Sequence, residues 1–288
     1  MLIFPNVLIS GILMGCVYSL LALGLTIIFG IADIVNFAHG EYLMIGMYTG
    51  YLVGTYLADP LIGVPCALIL GGFLGFLSYV FLVRRLLRGP PIAQLFGTFG
   101  LMLFLRYGAL ALFGPANRAL RVGILVGKHI FKAGIFIDLA KLAAAVIAVF
   151  LFALIYLFIQ KTKTGTALRA TADNKEAAHY MGISTDKMNA LAWTIGGGTA
   201  GVAGALLSQF FYVSPVVGMV FGVITFTTVA LGGFGSIPGA FIAGIIVGII
   251  QMLAAQYTYP ELKLAFIYVL YFLIVSLRPQ GLLGKKVA

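Results

Sequence analysis

The chain has 288 residues, of which 62% are hydrophobic and 9% are charged, and its formal net charge is +10. Soluble domains carry about 25% charged residues, so this composition excludes an ordinary soluble fold and indicates a polytopic membrane protein. The basic residues are scattered between apolar runs, as is usual at membrane flanks, and do not predict a nucleic-acid surface. The two cysteines, Cys16 and Cys66, both lie within apolar runs, a pattern that favours neither a disulfide nor a metal site.

Turn residues divide the chain into apolar runs, and about 20 apolar residues are needed for one helical crossing of a bilayer. We therefore predict an all-α polytopic membrane protein with about eight or nine transmembrane helices, several of them short or broken. If residues 216–256 form a re-entrant pair, the number of crossings falls to seven. The predicted crossings are 5–30, 40–58, 61–83, 92–114, 139–160, 188–212, 216–233, 238–256 and 262–277.

Two longer polar loops interrupt these runs, one at 116–138 and one at 161–187. Alternating apolar residues in the first predict a small β-hairpin. The loops on the side of 161–187 hold eleven basic residues and those on the opposite side hold six, so we predict that 161–187 and the C-terminus are cytoplasmic. The eleven are Arg84, Arg85, Arg88, Lys161, Lys163, Arg169, Lys175, Lys187, Arg278, Lys285 and Lys286; the six are Arg118, Arg121, Lys128, Lys132, Lys141 and Lys263.

The loop 161–187 has the pattern of a short helix that stands outside the membrane. Asp173 followed by Glu176 matches a capping box, which predicts a helix of about two and a half turns, roughly 13 Å long, starting there. Gly182 is placed to end that helix in a left-handed turn, and Ser184 or Thr185 can cap the next helix.

Several polar residues fall within or between the predicted crossings. Ionisable groups at membrane depth are costly and are candidates for function. The polar residues that follow the first crossing could instead cap a helix. Arg106 could contact a substrate carboxylate, or it could pair with a buried partner or snorkel to the membrane surface. We predict a passage between the chain breaks at 36–40 and 233–239 and the crossing that carries Arg106. The candidates to line it are Asn36, His39, Glu41, Gln94, Arg106 and Gln209.

Glycines recur at four-residue spacing in several crossings, including Gly11/Gly15, Gly71/Gly75, Gly197/Gly201 and Gly244/Gly248. Small residues at this spacing let helix backbones approach closely, so these positions predict helix–helix packing. The sequence contains no P-loop, no HExxH and no G-x-S-x-G motif. We therefore expect no catalytic residue, metal or cofactor in this chain, and an ATP-driven function would require a separate ATPase subunit.

A resemblance to a known family rests on two stretches. Glu176-Ala177-Ala178 followed by Gly182 resembles the EAA loop of ABC importer permeases, the coupling helix that docks into a groove on the ATPase. Thr164-Gly165, Met181-Gly182-Ile183 and the N-terminal Asn36-Phe37-Ala38-His39-Gly40-Glu41 resemble the LivH-type permease subunits of branched-chain amino-acid importers. On this resemblance the ATPase-coupling residues are Arg169, Asp173, Asn174, Glu176, Ala177, Ala178, Gly182 and Ile183.

The resemblance also implies an assembly. The chain (1–288) would form one permease domain in a bacterial or archaeal cytoplasmic membrane, paired with a second, related permease. Two cytoplasmic ATPases and an extracytoplasmic binding protein would complete an importer for branched-chain or other small amino acids. Three alternatives stay open: a permease for urea, short-chain amides or sugars; a passive small-solute channel; and an intramembrane enzyme using Asp33, His39 and Glu41. A channel has no need of a charged docking loop, and the enzyme lacks a paired motif on facing helices.

Overall fold

The apolar runs fold as helices because backbone N–H and C=O groups in lipid must find their partners within the segment. In the computed structural model each of the nine predicted crossings is helical, and the structure describes residues 3–57, 59–87, 89–120, 123–132, 135–278 and 280–284. The helices are α1 (Ile3–Ala32), α2 (His39–Tyr56), α3 (Gly63–Ser78), α4 (Arg84–Leu86), α5 (Pro91–Phe113), α6 (Leu139–Lys161), α7 (Lys163–Asp173), α8 (Lys175–Tyr180), α9 (Thr185–Leu207), α10 (Val217–Gly232), α11 (Ile237–Tyr257) and α12 (Lys263–Leu277).

Six helical stretches are long and apolar enough to cross a membrane, and α10 and α12 are shorter apolar helices. A π-helical turn, Tyr79–Val83, joins α3 to α4, so that Pro60–Leu86 forms one of the six. The predicted hairpin is confirmed: strands β1 (His129–Lys132) and β2 (Ile135–Asp138) pair antiparallel, with Ile130 opposite Ile137. Arg121, which belongs to the earlier part of that predicted pattern, lies outside the described residues.

The glycine pairs hold the centre of the bundle together, as predicted. Gly15 of α1 lies directly against the backbone of Ile245 in α11, and Gly75 of α3 lies against that of Trp193 in α9. A Cβ on Gly15 would lie 2.6 Å from the Cα of Ile245, a distance that side chains do not adopt. The contacts α1–α11 and α3–α9 therefore depend on residues without side chains.

Helices α1 and α9 form the core, whereas α5 and α6 lie at the outside. In the most apolar 18-residue window, 83% of α1 and 78% of α9 is buried, compared with 11% of α5 and 28% of α6. The fully buried side chains include the large rings of Trp193, Tyr18 and Tyr42. Helix α5 is thus the least enclosed of the long helices.

The two predicted sets of loops lie at opposite ends of α1, which is 30 residues or about 45 Å long. Near its start, the Asn6 side chain accepts a hydrogen bond from the N–H of Phe136 in the hairpin at 2.9 Å. At its end, the Lys175 ammonium donates to the carbonyl of Ala32 at 2.9 Å. The hairpin and the charged segment 161–187 are therefore on opposite faces of the bundle.

The chain after α1 turns back into the bundle, a feature that the sequence did not reveal. Asp33 has a left-handed backbone (φ +57) and ends α1, and α2 starts only six residues later. The His39 Nε2 donates to the carbonyl of Leu21, 3.0 Å away, and Leu21 is eleven residues, about 17 Å, back along α1. Helix α2 therefore begins deep within the bundle rather than at its surface.

Candidate functional site

The segment 161–187 forms two helices, not the single helix predicted from its sequence. In the first, α7, Thr162 is the N-cap and its hydroxyl accepts from the N–H of Gly165 at 2.9 Å. Leu168 and Thr171 are buried, whereas Arg169 points outward, where its guanidinium donates to the Thr166 hydroxyl. Helix α7 thus packs one face on the bundle and ends at Asp173, where the second helix follows.

The cap of α8 is Asn174 and not Asp173, so the predicted capping box is wrong by one residue. Asn174 has an extended backbone (φ −156, ψ 110), and its side-chain oxygen accepts from the N–H of Ala177 at 2.9 Å. Asp173 cannot take this position because it is the last residue of α7. Asn and Asp cap helices equally well, so the sequence alone could not choose between neighbours.

The end of α8 matches the prediction for Gly182, whose φ is +80. The N–H of Gly182 donates to the carbonyl of His179 at 2.9 Å, and the N–H of Ile183 donates to that of Ala178 at 3.0 Å. These two bonds define a Schellman motif, which satisfies the last carbonyls of the helix. The next helix begins at Thr185, and Ser184 is at the predicted N-cap position, although its side chain makes no capping hydrogen bond.

Helix α8 projects from the bundle with its apolar side chains in the open. Tyr180 is 85% exposed and Met181 is 82% exposed, while Ala178 is buried against the bundle. Glu176 and Ala177 are also exposed. Large apolar side chains at the tip of a charged segment have no lipid to face, so this tip is suited to contact with another protein.

A cavity of about 1040 Å³ opens at the same end of the bundle. Its walls are the end of α1, the junction of α7 and α8, the turn between α10 and α11, and the C-terminal segment. The turn is held there by the rings of Phe29 and Phe234, whose centroids are 4.4 Å apart. The chain break at 233–239 is therefore at this end, away from Arg106, which contacts Glu41 and Met219.

The second candidate site is a buried ion pair in the interior of the bundle. Glu41, in the first turn of α2, is 1% exposed, and Arg106 of α5 is 13% exposed. One carboxylate oxygen, Oε1, accepts from both Nε at 3.0 Å and Nη2 at 2.5 Å of the guanidinium. Of the alternatives for Arg106, the structure bears out the buried partner, and Glu41 is that partner.

Asn36 and His39 precede Glu41 in the chain, and both residues are fully buried. The Asn36 side-chain oxygen accepts from the N–H of Ala38 at 3.1 Å, which stabilises the turn into α2, as the capping alternative expected. The bond from His39 to Leu21 leaves its Nδ1 without a hydrogen bond to any residue that the structure describes, and the same holds for Oε2 of Glu41.

Gln94 and Gln209, the other residues predicted to line the passage, do not lie with Glu41 and Arg106. Gln94 is half-buried on α5, twelve residues or about 18 Å along the helix from Arg106. Gln209 is buried in the turn after α9, and its Nε2 has no partner among the described residues. Sequence reasoning missed Gly218 of α10, which lies directly against the Glu41 carboxylate; nothing in a glycine's local sequence identifies such a neighbour.

Comparison with known proteins gives the family. The family described as "Branched-chain amino acid transport system / permease component" matches residues 7–275. The chain belongs to this family. It is 32% identical to the permease LivH of the high-affinity branched-chain amino acid transport system of Salmonella typhimurium, over 99% of this chain and 96% of that one. It is 30% identical to BraD of Pseudomonas aeruginosa (96% and 95% covered) and to a probable LivH of Methanocaldococcus jannaschii (87% and 81%).

As a permease of this family the chain is a multi-pass component of an ABC transporter in the cytoplasmic (inner) membrane, and its six membrane-length helices fit that location. The family is a transporter family and not an enzyme family. Permeases of ABC importers work with ATPase and substrate-binding partners, so this permease is one part of a larger assembly. The LivH-type resemblance of its motifs is confirmed over nearly the whole chain.

Proposed function

We propose that this permease carries branched-chain amino acids into the cell and that α8 is the helix through which two cytoplasmic ATPases drive it. The observation that carries the proposal is the tip of α8, where Tyr180 and Met181 are exposed beyond an apolar bundle. An apolar tip on a short, doubly capped helix is the form expected of an element that fits into a groove on a soluble partner. The substrate is taken from the relatives, whose names specify branched-chain amino acids.

The assignment of individual residues follows from their positions. Asn174 and Gly182 fix the two ends of α8, Ala178 seats it on the bundle, and Glu176 and Ala177 face outward with the tip. Arg169 lies on the outer side of α7, next to the same surface. Together with Asp173 and Ile183, these residues form the proposed ATPase-docking surface. ATP would be bound and hydrolysed by the partner subunits and not by this chain.

The other proposed partners are a second, related permease, which completes the pathway, and an extracytoplasmic binding protein, which delivers the substrate. The hairpin β1–β2 and its flanking loop lie at the end of the bundle opposite α8 and are the part of this chain nearest to such a protein. A charged helix with an apolar tip has no purpose in a passive channel. Active transport is therefore the better interpretation.

The proposal can be tested in proteoliposomes that contain the tagged chain with the permease, ATPases and binding protein that co-purify with it. We expect uptake of radiolabelled L-leucine that requires ATP and the binding protein, and competition by isoleucine and valine but not by urea or fructose. Leucine uptake that persists without ATP would indicate a channel. Competition by urea or fructose alone would assign the substrate to the open alternatives.

A further inference from the structure

We infer that Glu41 and Arg106 are the binding point for the amino-acid head group: the substrate ammonium pairs with Glu41 and its carboxylate pairs with Arg106. The inference rests on the proposed function, because it requires a zwitterionic substrate. It assigns to the ion pair a role beyond packing. In the state described here Glu41 and Arg106 are paired with each other, and the two charges of the substrate replace both partners together.

The geometry of the pair leaves one hydrogen-bonding group of each residue without a strong partner in the described part of the chain: Oε2 of Glu41 and Nη1 of Arg106. Both Arg106 bonds go to Oε1 of Glu41, although an arginine and a carboxylate can form two parallel bonds that use both oxygens. Oε2 is buried and has no hydrogen-bond partner in the part of the chain that the structure describes. Nη1 of Arg106 reaches only the sulfur of Met219, a weak acceptor, at 3.9 Å. The free acceptor suits an ammonium, and the free donor suits a carboxylate.

The start of α10 forms part of the surroundings of the Glu41 carboxylate. Glu41 lies against Gly218, the second residue of α10, where the partial positive charge of the helix start stabilises an anion. A Cβ on Gly218 would lie 2.5 Å from Oε2 and 2.8 Å from the carboxyl carbon of Glu41, so only a glycine lets the backbone of α10 pack this closely on the carboxylate. The Nδ1 of His39, in the first turn of the same helix α2, is a further buried polar group without a hydrogen-bond partner among the described residues.

Charge balance explains why a pair suits this substrate better than a single charge. An isolated charge in a low-dielectric interior is very costly unless it is paired. When a zwitterion enters, the ammonium neutralises Glu41 and the carboxylate neutralises Arg106, so neither protein charge is left alone. Urea or a sugar carries no such charges and could not replace either partner. The pair thus discriminates by the charges of the head group, whatever the side chain.

Helix α5 is the element that can open the pair. Among the long helices it is the least buried, with 11% of its apolar window enclosed. Among the described residues, its other side-chain hydrogen bonds to the bundle are that of the Thr98 hydroxyl to the carbonyl of Val35 at 3.0 Å and the weak one of Arg106 to the sulfur of Met219. The remaining contacts include the stacked rings of Tyr48 and Phe113, 4.1 Å apart. Helix α5 can therefore move away from the bundle at a lower cost than the enclosed helices α1 and α9.

The test is the double variant Glu41→Gln/Arg106→Gln, which removes both charges together and leaves no unpaired charge to prevent folding. In the assembled complex in proteoliposomes we measure radiolabelled L-leucine taken up per ATP hydrolysed. We expect this ratio to fall about tenfold or more, the order expected when a charge-assisted hydrogen bond to the ligand is lost. Assembly with the ATPases should stay at the wild-type level. Tyr107→Gln, at an exposed position next to Arg106, is the control and should keep the wild-type ratio.

A double variant that keeps the wild-type ratio would overturn the inference and leave the pair with only a structural role, that of joining α5 to α2. If the double variant fails to assemble, Arg106→Lys decides, because it keeps the charge but loses the planar fork of donors. We expect Arg106→Lys to assemble with a lowered ratio of leucine to ATP; an unchanged ratio overturns the inference. A wild-type complex that takes up no leucine at all instead refutes the proposed function, and the inference falls with it.

Discussion

Gly182 determines how α8 ends, because its left-handed backbone (φ +80) makes the two hydrogen bonds of the Schellman motif possible. A residue with a side chain costs about 1–2 kcal/mol in this region of backbone space. The space around Gly182 is open, with nothing within 4 Å of where a Cβ would lie. A side chain there would not disturb the bundle, but it would stand beside Tyr180 and Met181 on the proposed docking surface.

We predict that Gly182→Trp inserts normally but loses ATPase association and leucine transport, because the indole blocks the docking surface and strains its last turn. ATPase that co-purifies with the tagged chain is the measurement. Gly127→Trp is the matched control for ATPase association: Gly127 also has a positive φ (+72), with no described atom within 4 Å of where a Cβ would lie, but it precedes the hairpin at the other end of the bundle. Wild-type transport by Gly182→Trp would remove the coupling assignment.

At the scale of elements, one contact ties α8 to the segment that leads to the buried ion pair. The Lys175 ammonium donates to the carbonyl of Ala32, the last residue of α1, at 2.9 Å. That carbonyl belongs to the final turn, whose carbonyls have no partner within the helix. The left-handed Asp33 follows at once, and six residues later the chain reaches His39 and then Glu41. A displacement of α8 would therefore act directly on the start of the turn 33–38, which leads back into the bundle.

We expect Lys175→Met to keep ATPase association but to lower the amount of leucine transported per ATP hydrolysed, since the variant loses this link while the tip of α8 is unchanged. Lys187→Met is the control, because Lys187 is exposed in the first turn of α9 and carries the same charge. Equal ratios of leucine to ATP in the two variants would show that the Lys175–Ala32 contact does not transmit the motion.

At the scale of the whole molecule, the bundle has two chemically different ends. One carries α7, α8, the cavity and the C-terminal segment, whose Leu282 N–H donates to the carbonyl of Leu231 at 2.8 Å. The other carries the hairpin and the Asp59 turn, where Asp59 accepts from the N–H of Ile124 at 2.8 Å. The excess of basic residues on the first end predicts that it faces the cytoplasm.

Cysteine labelling tests this orientation in a background with Cys16 and Cys66 replaced by alanine. We expect Lys175→Cys to react with a membrane-impermeant thiol reagent only when the cytoplasmic side is accessible, and Lys128→Cys to react from outside in intact cells. Both positions are in polar segments at opposite ends of the bundle, so each serves as the control for the other. Reversed labelling would place α8 outside the cell and exclude it as the ATPase contact.

The sequence alone determined the helices, their order and the turn at Gly182, because each depends on neighbours within a few residues. Backbone hydrogen bonds in lipid are made inside the segment, so an apolar run between turn residues is enough to predict a helix. There were two exceptions: helix α7, which was not predicted, and the choice between Asp173 and Asn174 as the cap of α8. Both side chains can cap, and the end of α7 decided between them.

Only the tertiary structure could pair Arg106 with Glu41, 65 residues apart, or place His39 beside Leu21 and turn residues 33–38 back into the bundle. It also decided which helices are central. Both α1 and α5 have the composition of membrane spans, yet 83% of the apolar window of α1 is buried, compared with 11% of that of α5. Lipid tails are as apolar as a protein interior, so hydrophobicity does not distinguish a helix that faces protein from one that faces lipid. That distinction depends on packing between distant parts of the chain.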